Sequence, residues 1–334
     1  MKLLVTGGAG FIGSHFIHHW LEHHPDDALI NLDKLTYAGN LMNLQDIEKD
    51  PRYTFVKGDI ADRETVFSLV KEVDIVVNFA AETHVDRSVM GVEEFIRSNV
   101  LGTAVLLDAV KEYGKRMHHV STDEVFGALG PEDPPFSEIT PYAPRNPYSA
   151  TKAASDHLVR AYYYTHGLQI TISNCSNNYG THMFPEKFMP LFICNLFEGK
   201  KVPVYGDGLQ KRDWIWVDDH CRGIEAVIEK GKIGETYCFG GGGDIANIDV
   251  VKMMIELTGR DESFIEHVKD RAGHDRRYDV DYTKAKTELG WEPSVRLREG
   301  LSEMVRWYKN NPDWIEQCCS GAYQDYYKKQ YEQR

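Results

Sequence analysis

The run Thr6-Gly7-Gly8-Ala9-Gly10-Phe11-Ile12-Gly13 follows directly on the apolar stretch Leu3-Leu4-Val5. A strand, a glycine turn and a helix start are thus packed into the first residues of the chain. That order suits a dinucleotide pyrophosphate resting on a helix N-terminus, where unpaired backbone N–H groups and the macrodipole favour negative charge. Gly7 allows the tight turn, Gly10 lets backbone approach the phosphates, and Gly13 lets helix and strand pack closely. A second β-rich run, Ala28-Leu29-Ile30-Asn31-Leu32-Asp33, ends in a carboxylate 20 residues past the last glycine. That is the spacing of a group that hydrogen-bonds the adenine ribose 2′-OH. A carboxylate there repels a 2′-phosphate, so NAD is favoured over NADP.

Further β-rich runs at Tyr53–Lys57, Ile75–Phe79, His118–Ser121 and Gln169–Ser173 alternate with helical patterns such as Phe95, Ile96, Val100, Ala104 and Leu107. Alternation of this kind predicts a doubly wound α/β fold, a Rossmann-type parallel sheet covered by helices on both faces. After Cys175 the pattern loosens into Gly- and Pro-punctuated loops, short strands (Val202–Tyr205, Trp214–Val217, Thr236–Phe239) and late helices. The expected division is a nucleotide domain over 1–175 and a smaller mixed α/β substrate domain over 176–334. Segments from about 212 to 240 are expected to return to the first.

The chain has 334 residues, 42% hydrophobic and 27% charged, with a formal net charge of −13. That balance argues against nucleic acid, which needs a basic footprint, and means an anionic substrate requires a local cluster of Lys and Arg. No run approaches the roughly 18 apolar residues of a membrane span. Six cysteines without Cys-x-x-Cys spacing fit a reduced cytoplasm. His15, His18, His19, His23 and His24 fall in the helix after the glycine turn. Its outer face is expected to be solvated, and with no third ligand at a recognisable spacing no metal is expected. Gly240–Gly243 reads as a flexible loop, and Tyr323, Tyr326, Tyr327 and Tyr331 as a packed C-terminal helix.

Tyr148-Ser149-Ala150-Thr151-Lys152 places a phenol and an ammonium on one helix face. The ammonium is expected to lower the phenol's pKa and hold the nicotinamide ribose, making a base for a hydroxyl proton. The pattern also occurs at Tyr53/Lys57 and Tyr282/Lys286. Only Tyr148/Lys152 follows a strand end rich in polar groups, Val120-Ser121-Thr122-Asp123-Glu124. Ligands of open parallel sheets bind outside such ends. Strand geometry sends Asp123 and Glu124 to opposite faces. Both reach one substrate only if the strand ends at Thr122 and Asp123 begins a helical turn; otherwise Asp123 caps the turn and Glu124 is solvated.

The glycine turn, the Tyr-x-x-x-Lys pair and the Thr-Asp-Glu strand end together resemble the extended short-chain dehydrogenase/reductase superfamily. Within it the chain is similar to the dTDP-glucose 4,6-dehydratases. The stretches that carry the likeness are Ala80–Ser88, Ser121–Gly127, Asn174–Gly180, Phe184–Lys187, Gly206–Trp214 and Gly273–Tyr278. They run from the first strand to near residue 300.

The resemblance implies that Tyr148, assisted by Thr122 and Lys152, takes the glucose 4-hydroxyl proton as NAD takes hydride from C4. Glu124 then removes the acidified C5 proton and Asp123 protonates the departing 6-hydroxyl. Hydride return to C6 gives a 4-keto-6-deoxy sugar and leaves NAD oxidised and bound. It implies cofactor contacts at Gly7, Gly10, Phe11, Ile12, Gly13, Asp33, Lys34, Leu35, Thr36, Asp59, Ile60, Ala80, Ala81, Thr83, Ser98 and Asn178. It implies nucleotide-sugar contacts at His84, Thr122, Asn177, Lys187, Phe188, Pro203, Val204, Tyr205, Arg212, Asn247, Asp270, Arg271, Ala272, Gly273 and His274. Lys187, Arg212 and Arg271 supply the positive field for a diphosphate, although each also has the plainer reading of a surface ion pair. A homodimer is implied too; the helical faces around 95–113 and 146–165 equally fit packing within one subunit. Thr181-His182, Ala272, Phe126 and Thr83 depart from the family pattern, and the first two touch loops near the nucleotide. The base therefore stays open between dTDP and UDP. A 4-epimerase, which needs no acid pair for C5 and C6, is the neighbouring alternative.

Overall fold

The computed structural model describes residues 1–270 and 274–319. Its strands, in chain order, are β1 (Lys2–Thr6), β2 (Ala28–Asp33), β3 (Tyr53–Lys57), β4 (Ile75–Asn78), β5 (Arg116–Thr122), β6 (Gln169–Cys175), β7 (Asn177–Tyr179), β8 (Val202–Tyr205), β9 (Lys211–Trp216), β10 (Thr236–Phe239), β11 (Asp244–Ala246) and β12 (Ile265–Val268). Its α-helices are α1 (Phe11–His23), α2 (Arg63–Val70), α3 (Val85–Met90), α4 (Glu93–Phe95), α5 (Thr103–Tyr113), α6 (Pro147–His166), α7 (Phe188–Phe197), α8 (Val217–Lys230), α9 (Asn247–Leu257), α10 (Leu297–Asn310) and α11 (Pro312–Cys318).

Seven parallel strands form the main sheet in the order β3-β2-β1-β4-β5-β6-β10. This is the doubly wound Rossmann arrangement. The strand order reverses between β1 and β4, which opens a crevice at the carboxyl edges there. Alternate residues of each strand feed opposite cores. Leu4 packs with Val66, Val70, Leu106 and Val159 under α2, α5 and α6. Leu3 and Val5 pack with Phe16, Ile17, Trp20 and Ile224 under α1 and α8. Truncating a fully buried leucine such as Leu4 to alanine costs about 2–5 kcal/mol.

The later half adds a three-stranded sheet, β11-β9-β7, and the β8–β12 pair. These pack with α7, α9, α10 and α11 around Tyr179, Phe192, Trp214, Met254, Tyr308 and Trp314. Between the two assemblies β10 returns to the edge of the main sheet beside β6.

Several expectations need correction. The strand expected at Trp214–Val217 starts at Lys211 and ends at Trp216. The pattern read as one helix from Phe95 to Leu107 contains a π-helical stretch, Ile96–Gly102, which leaves Ile96 exposed. Widening the turn shifts the face that α5 buries. The outer face of α1 is not simply solvated, because α8 packs beside it. His15 pairs with Asp218 at 2.6 Å, while His19 and His24 reach the two oxygens of Glu225 at 2.8 and 2.7 Å. His24, Glu225 and Glu229 lie close enough to share an ion, yet two imidazoles already occupy both Glu225 oxygens. The glycine run is half packed: the Gly241 N–H donates to both Asp213 oxygens at 2.9 and 3.0 Å. A Cβ there would meet the Trp214 carbonyl oxygen at 1.8 Å. The tyrosine tail lies outside the described residues.

Candidate active site

A cavity of about 490 Å³ follows the carboxyl edges of the main sheet and runs under the second assembly. At its β1–β2 end the wall is built on the glycine turn. Gly7 takes φ +72°, and its N–H donates to the Leu32 carbonyl at 2.9 Å. A Cβ on Gly13 would lie 2.3 Å from the Gly7 carbonyl oxygen, so this close approach admits only glycine. Gly10 caps α1 without any side-chain hydrogen bond, which leaves the first-turn N–H groups facing the cavity for a diphosphate. Asp33 is buried and accepts from the Ala9 N–H at 2.9 Å and the Leu35 N–H at 2.8 Å. Its carboxylate therefore ties the glycine turn to the end of β2. Burial raises its pKa and those two donors oppose the rise. Asp59 is shared by Lys34 at 3.1 Å and Arg97 at 3.0 Å. These features fit a dinucleotide.

Of the described residues expected to touch the cofactor, all but Leu35 line the cavity. Leu35 stands at φ +54° and its side chain packs on Gly39, which keeps it behind the turn.

The catalytic corner lies where β5 ends. Thr122 is the last strand residue, and Asp123–Phe126 form one 3₁₀ turn. The cap of that turn is Thr122, whose Oγ1 accepts the Glu124 N–H at 3.2 Å. Glu124 lines the cavity and accepts from the Asn146 amide at 3.3 Å. Asp123 does not line it. This carboxyl is 1% exposed, accepts the Thr122 hydroxyl at 3.2 Å on Oδ1, and leaves Oδ2 without a partner. Burial first, then the charges of Glu124 and Asp213, hold its pKa well above the usual carboxylate range. Burial thus favours the protonated form of Asp123, which lies just beneath the cavity wall.

Tyr148 and Lys152 enter from α6, which is started by an Asn146 capping box and Pro147. Both line the cavity. The expectation that the ammonium depresses the phenol needs correction. Burial first, then Glu124 and Cys175, raise the Tyr148 pKa, opposed by a hydrogen bond with Thr122. Lys152 instead donates to the Val120 carbonyl at 2.9 Å.

Toward the second assembly, His84, Asn177, Lys187, Phe188, Pro203, Val204, Tyr205, Arg212, Asn247 and His274 all line the cavity. Lys187 donates to the Thr83 carbonyl at 3.3 Å. Arg212 is not a surface pair. It is buried, stacks on Tyr278 at 4.2 Å, and donates to the carbonyls of Lys211 and Asp275 at 2.7 and 2.9 Å. Asp270 is exposed and does not line the cavity; it holds Gln210 at 2.8 Å and His274 at 2.7 Å, both of which do. Arg271, Ala272 and Gly273 lie outside the described residues. At the departing loop, His182 takes φ +59° and packs on Trp307 at 4.5 Å, while the Thr181 carbonyl meets His15 at 3.1 Å.

The sequence reading missed Tyr37 and the role of Glu186, both in the wall. Glu186 is 4% exposed and binds Arg87 at 2.9 Å, and that guanidinium covers Tyr37 at 4.0 Å. Arg87 and Glu186 both stand in the stretches singled out above, but a pairing across 99 residues leaves no local signal.

The sequence matches the GDP-mannose 4,6 dehydratase family over residues 4–304. A curated dTDP-glucose 4,6-dehydratase of Xanthomonas campestris pv. campestris is 49% identical, over 96% of each chain. The solved dTDP-glucose 4,6-dehydratase of Streptomyces venezuelae with NAD bound superposes with a TM-score of 0.92 at 46% identity, over 95% of this chain and 100% of that one. A UDP-glucose 4-epimerase of Thermotoga maritima superposes at 0.87 with 30% identity, over 93% and 100%. Family match, full-length identity and superposition agree: the chain belongs to the GDP-mannose 4,6 dehydratase family.

Proposed function

We propose that this protein is an NAD-dependent hydro-lyase that converts dTDP-glucose to dTDP-4-keto-6-deoxyglucose. One observation carries the reading. A phenol and a carboxylate line the cavity at the end of β5, with a buried carboxyl one layer beneath, beside a glycine turn shaped for a dinucleotide.

The glycine turn, Asp33 and Asp59 hold the NAD. Bound there, NAD supplies the hydride acceptor for C4 and the hydride later delivered to C6. Tyr148 takes the 4-hydroxyl proton in its ionised form, which the Thr122 hydrogen bond favours against burial, with Lys152 one helical turn away. The ketone at C4 acidifies the C5 proton, which passes to Glu124. Asp123, whose protonated form burial favours, lies one layer beneath the wall and passes its proton to the 6-hydroxyl through the Thr122 hydroxyl bonded to it, so the C6–O bond breaks and water leaves. Glu124, after exchange with solvent, returns a proton to C5. Acid and base on neighbouring carbons are what elimination demands. Lys187 and Arg212 face the diphosphate.

We infer a homodimer as well, supported by the exposed apolar side chains Val89, Ile96 and Leu101 near α3 and α5. A cytoplasmic location is supported by six free thiols, and no described helix is long and apolar enough to cross a membrane.

The test is to incubate the protein separately with dTDP-glucose and UDP-glucose in heavy water. The expected product is a 4-keto-6-deoxy sugar carrying deuterium at C5, formed faster from dTDP-glucose. Inversion at C4 with C6 still hydroxylated would make the protein a 4-epimerase, and preference for UDP-glucose would change the substrate.

A further inference from the structure

Beneath Lys152 lies a ladder of buried polar side chains that the reaction scheme does not use. Parallel sheets buried on both faces are ordinarily lined with apolar residues. Here Thr6, Asn78 and His119 stand opposite one another across β1, β4 and β5, and Ser121 stands opposite Asn174 across β5 and β6. All are buried.

The hydrogen bonds fix a direction along this ladder. The Thr6 hydroxyl accepts the Ala80 N–H at 3.3 Å, so it donates to Asn78 Oδ1 at 2.6 Å. The Asn78 amide nitrogen then donates to His119 Nδ1 at 3.0 Å. His119 therefore carries its single proton on Nε2, which faces Ser155 Oγ at 3.2 Å and Asp156 Oδ1 at 3.4 Å. A protonated Nδ1 would oppose the Asn78 amide, so the imidazole is held neutral. Lys152 Nζ, 3.5 Å from Nε2, finds no acceptor there.

Asp156 is fully buried, and the network solvates one of its two oxygens, while Oδ1 makes no hydrogen bond and has only the 3.4 Å approach of His119 Nε2. Its Oδ2 accepts from Tyr142 at 2.7 Å, Ser121 at 2.9 Å and Asn174 at 3.3 Å. Tyr148, Lys152 and Asp156 follow one another at intervals of four residues on α6, so they share one face.

We propose that Asp156, oriented by His119, is a positioning residue that keeps Lys152 a buried ammonium beside Tyr148. The proposal rests on the dehydratase reading only for the part Lys152 plays in it. The titratable groups facing Lys152 are Tyr148 and Asp156 from its own helix, His119 from β5 and Cys175 from β6. Behind Asp156 stands Tyr142, which accepts from Arg160 at 2.9 Å. Burial pushes the Lys152 pKa down, and Asp156 is the first influence raising it again. The anion itself is held low, against burial, by His119, Lys152 and Tyr142.

The experiment compares the full chain with Asp156→Asn, Asp156→Glu and His119→Asn. Lys152 is followed through its side-chain carbon by NMR titration, assigned against Lys152→Met, and single-turnover C4 oxidation is followed across pH. In Asp156→Asn the Lys152 titration and the alkaline limb of the rate profile should both move down by about one pH unit or more. His119→Asn should move them less, and Asp156→Glu should restore most of the shift. A rate lowered equally at every pH, with the Lys152 titration unmoved in a folded Asp156→Asn or His119→Asn, would overturn the proposal. If the unsubstituted protein does not dehydrate dTDP-glucose, the functional reading fails, whereas the NMR titration still decides the role of Asp156.

Discussion

At the β1–β2 end of the cavity the wall is built on a glycine turn, which one carboxylate, Asp33, fastens through two main-chain N–H groups. At the β5–α6 end Thr122, Glu124, Tyr148 and Lys152 line the wall and rest on the buried side chains of His119, Asp156 and Asn174. Holding a dinucleotide asks for shape and N–H donors, which a glycine turn supplies from adjacent residues. Moving protons asks for groups with displaced pKa values, and those arise only where burial and neighbouring charges converge from several elements. Asp123 shows the second case, its pKa raised by burial and by the charges of Glu124 and Asp213.

Substitutions at the two ends should accordingly fail in different ways. Tyr148→Phe should lower turnover by roughly 10²–10⁴-fold while retaining NAD, measured by steady-state kinetics and nucleotide content. Loss of the nucleotide would show that the catalytic corner also holds the cofactor. Gly13→Ala should do the reverse. Its Cβ meets the Gly7 carbonyl oxygen at 2.3 Å, and overpacking of about 1–3 kcal/mol corresponds to roughly 5–150-fold weaker NAD binding by titration calorimetry. Turnover at saturating NAD should stay near the parent value.

The smallest effect belongs outside the cavity, where Glu225 joins α8 to α1. Burial pushes its carboxyl up, but hydrogen bonds from His19 and His24 bring it down to about 2 from 4.5. A carboxylate depressed by folding stabilises the fold above its ordinary pKa and loses that contribution as pH falls through the folded value. Glu225→Gln should therefore cost about 1 kcal/mol at neutral pH by urea unfolding. The gap should close between pH 4.5 and about 2. A gap unchanged across that window would mean that the pairing is not electrostatic.

The same contrast explains what could be read from residues alone. Strand β2 falls on the expected Ala28–Asp33, and the glycine turn with its acid was legible because all its parts lie within 33 residues. The end of β5 at Thr122 was visible only as a condition under which two adjacent acids serve one substrate; the 3₁₀ turn meets it for Glu124 and leaves Asp123 one layer down. The Glu225 pairs, 206 and 201 residues from their histidines, carried no local signal. Nor did the ladder beneath Lys152, whose members come from five elements. Its one local trace is the four-residue spacing of Tyr148, Lys152 and Asp156, which says nothing of His119 or Asn174.

The division of labour at the end of β5 is tested most directly by Glu124→Gln in a single turnover with dTDP-glucose, followed through the near-ultraviolet band of reduced nicotinamide. If Glu124 is the C5 base, that band should rise at nearly the parent rate. It should then persist, because water loss slows by roughly 10²–10⁴-fold and the hydride has no acceptor. A band that rises and decays as in the parent, with the 6-deoxy product formed at the parent rate, would contradict the assignment.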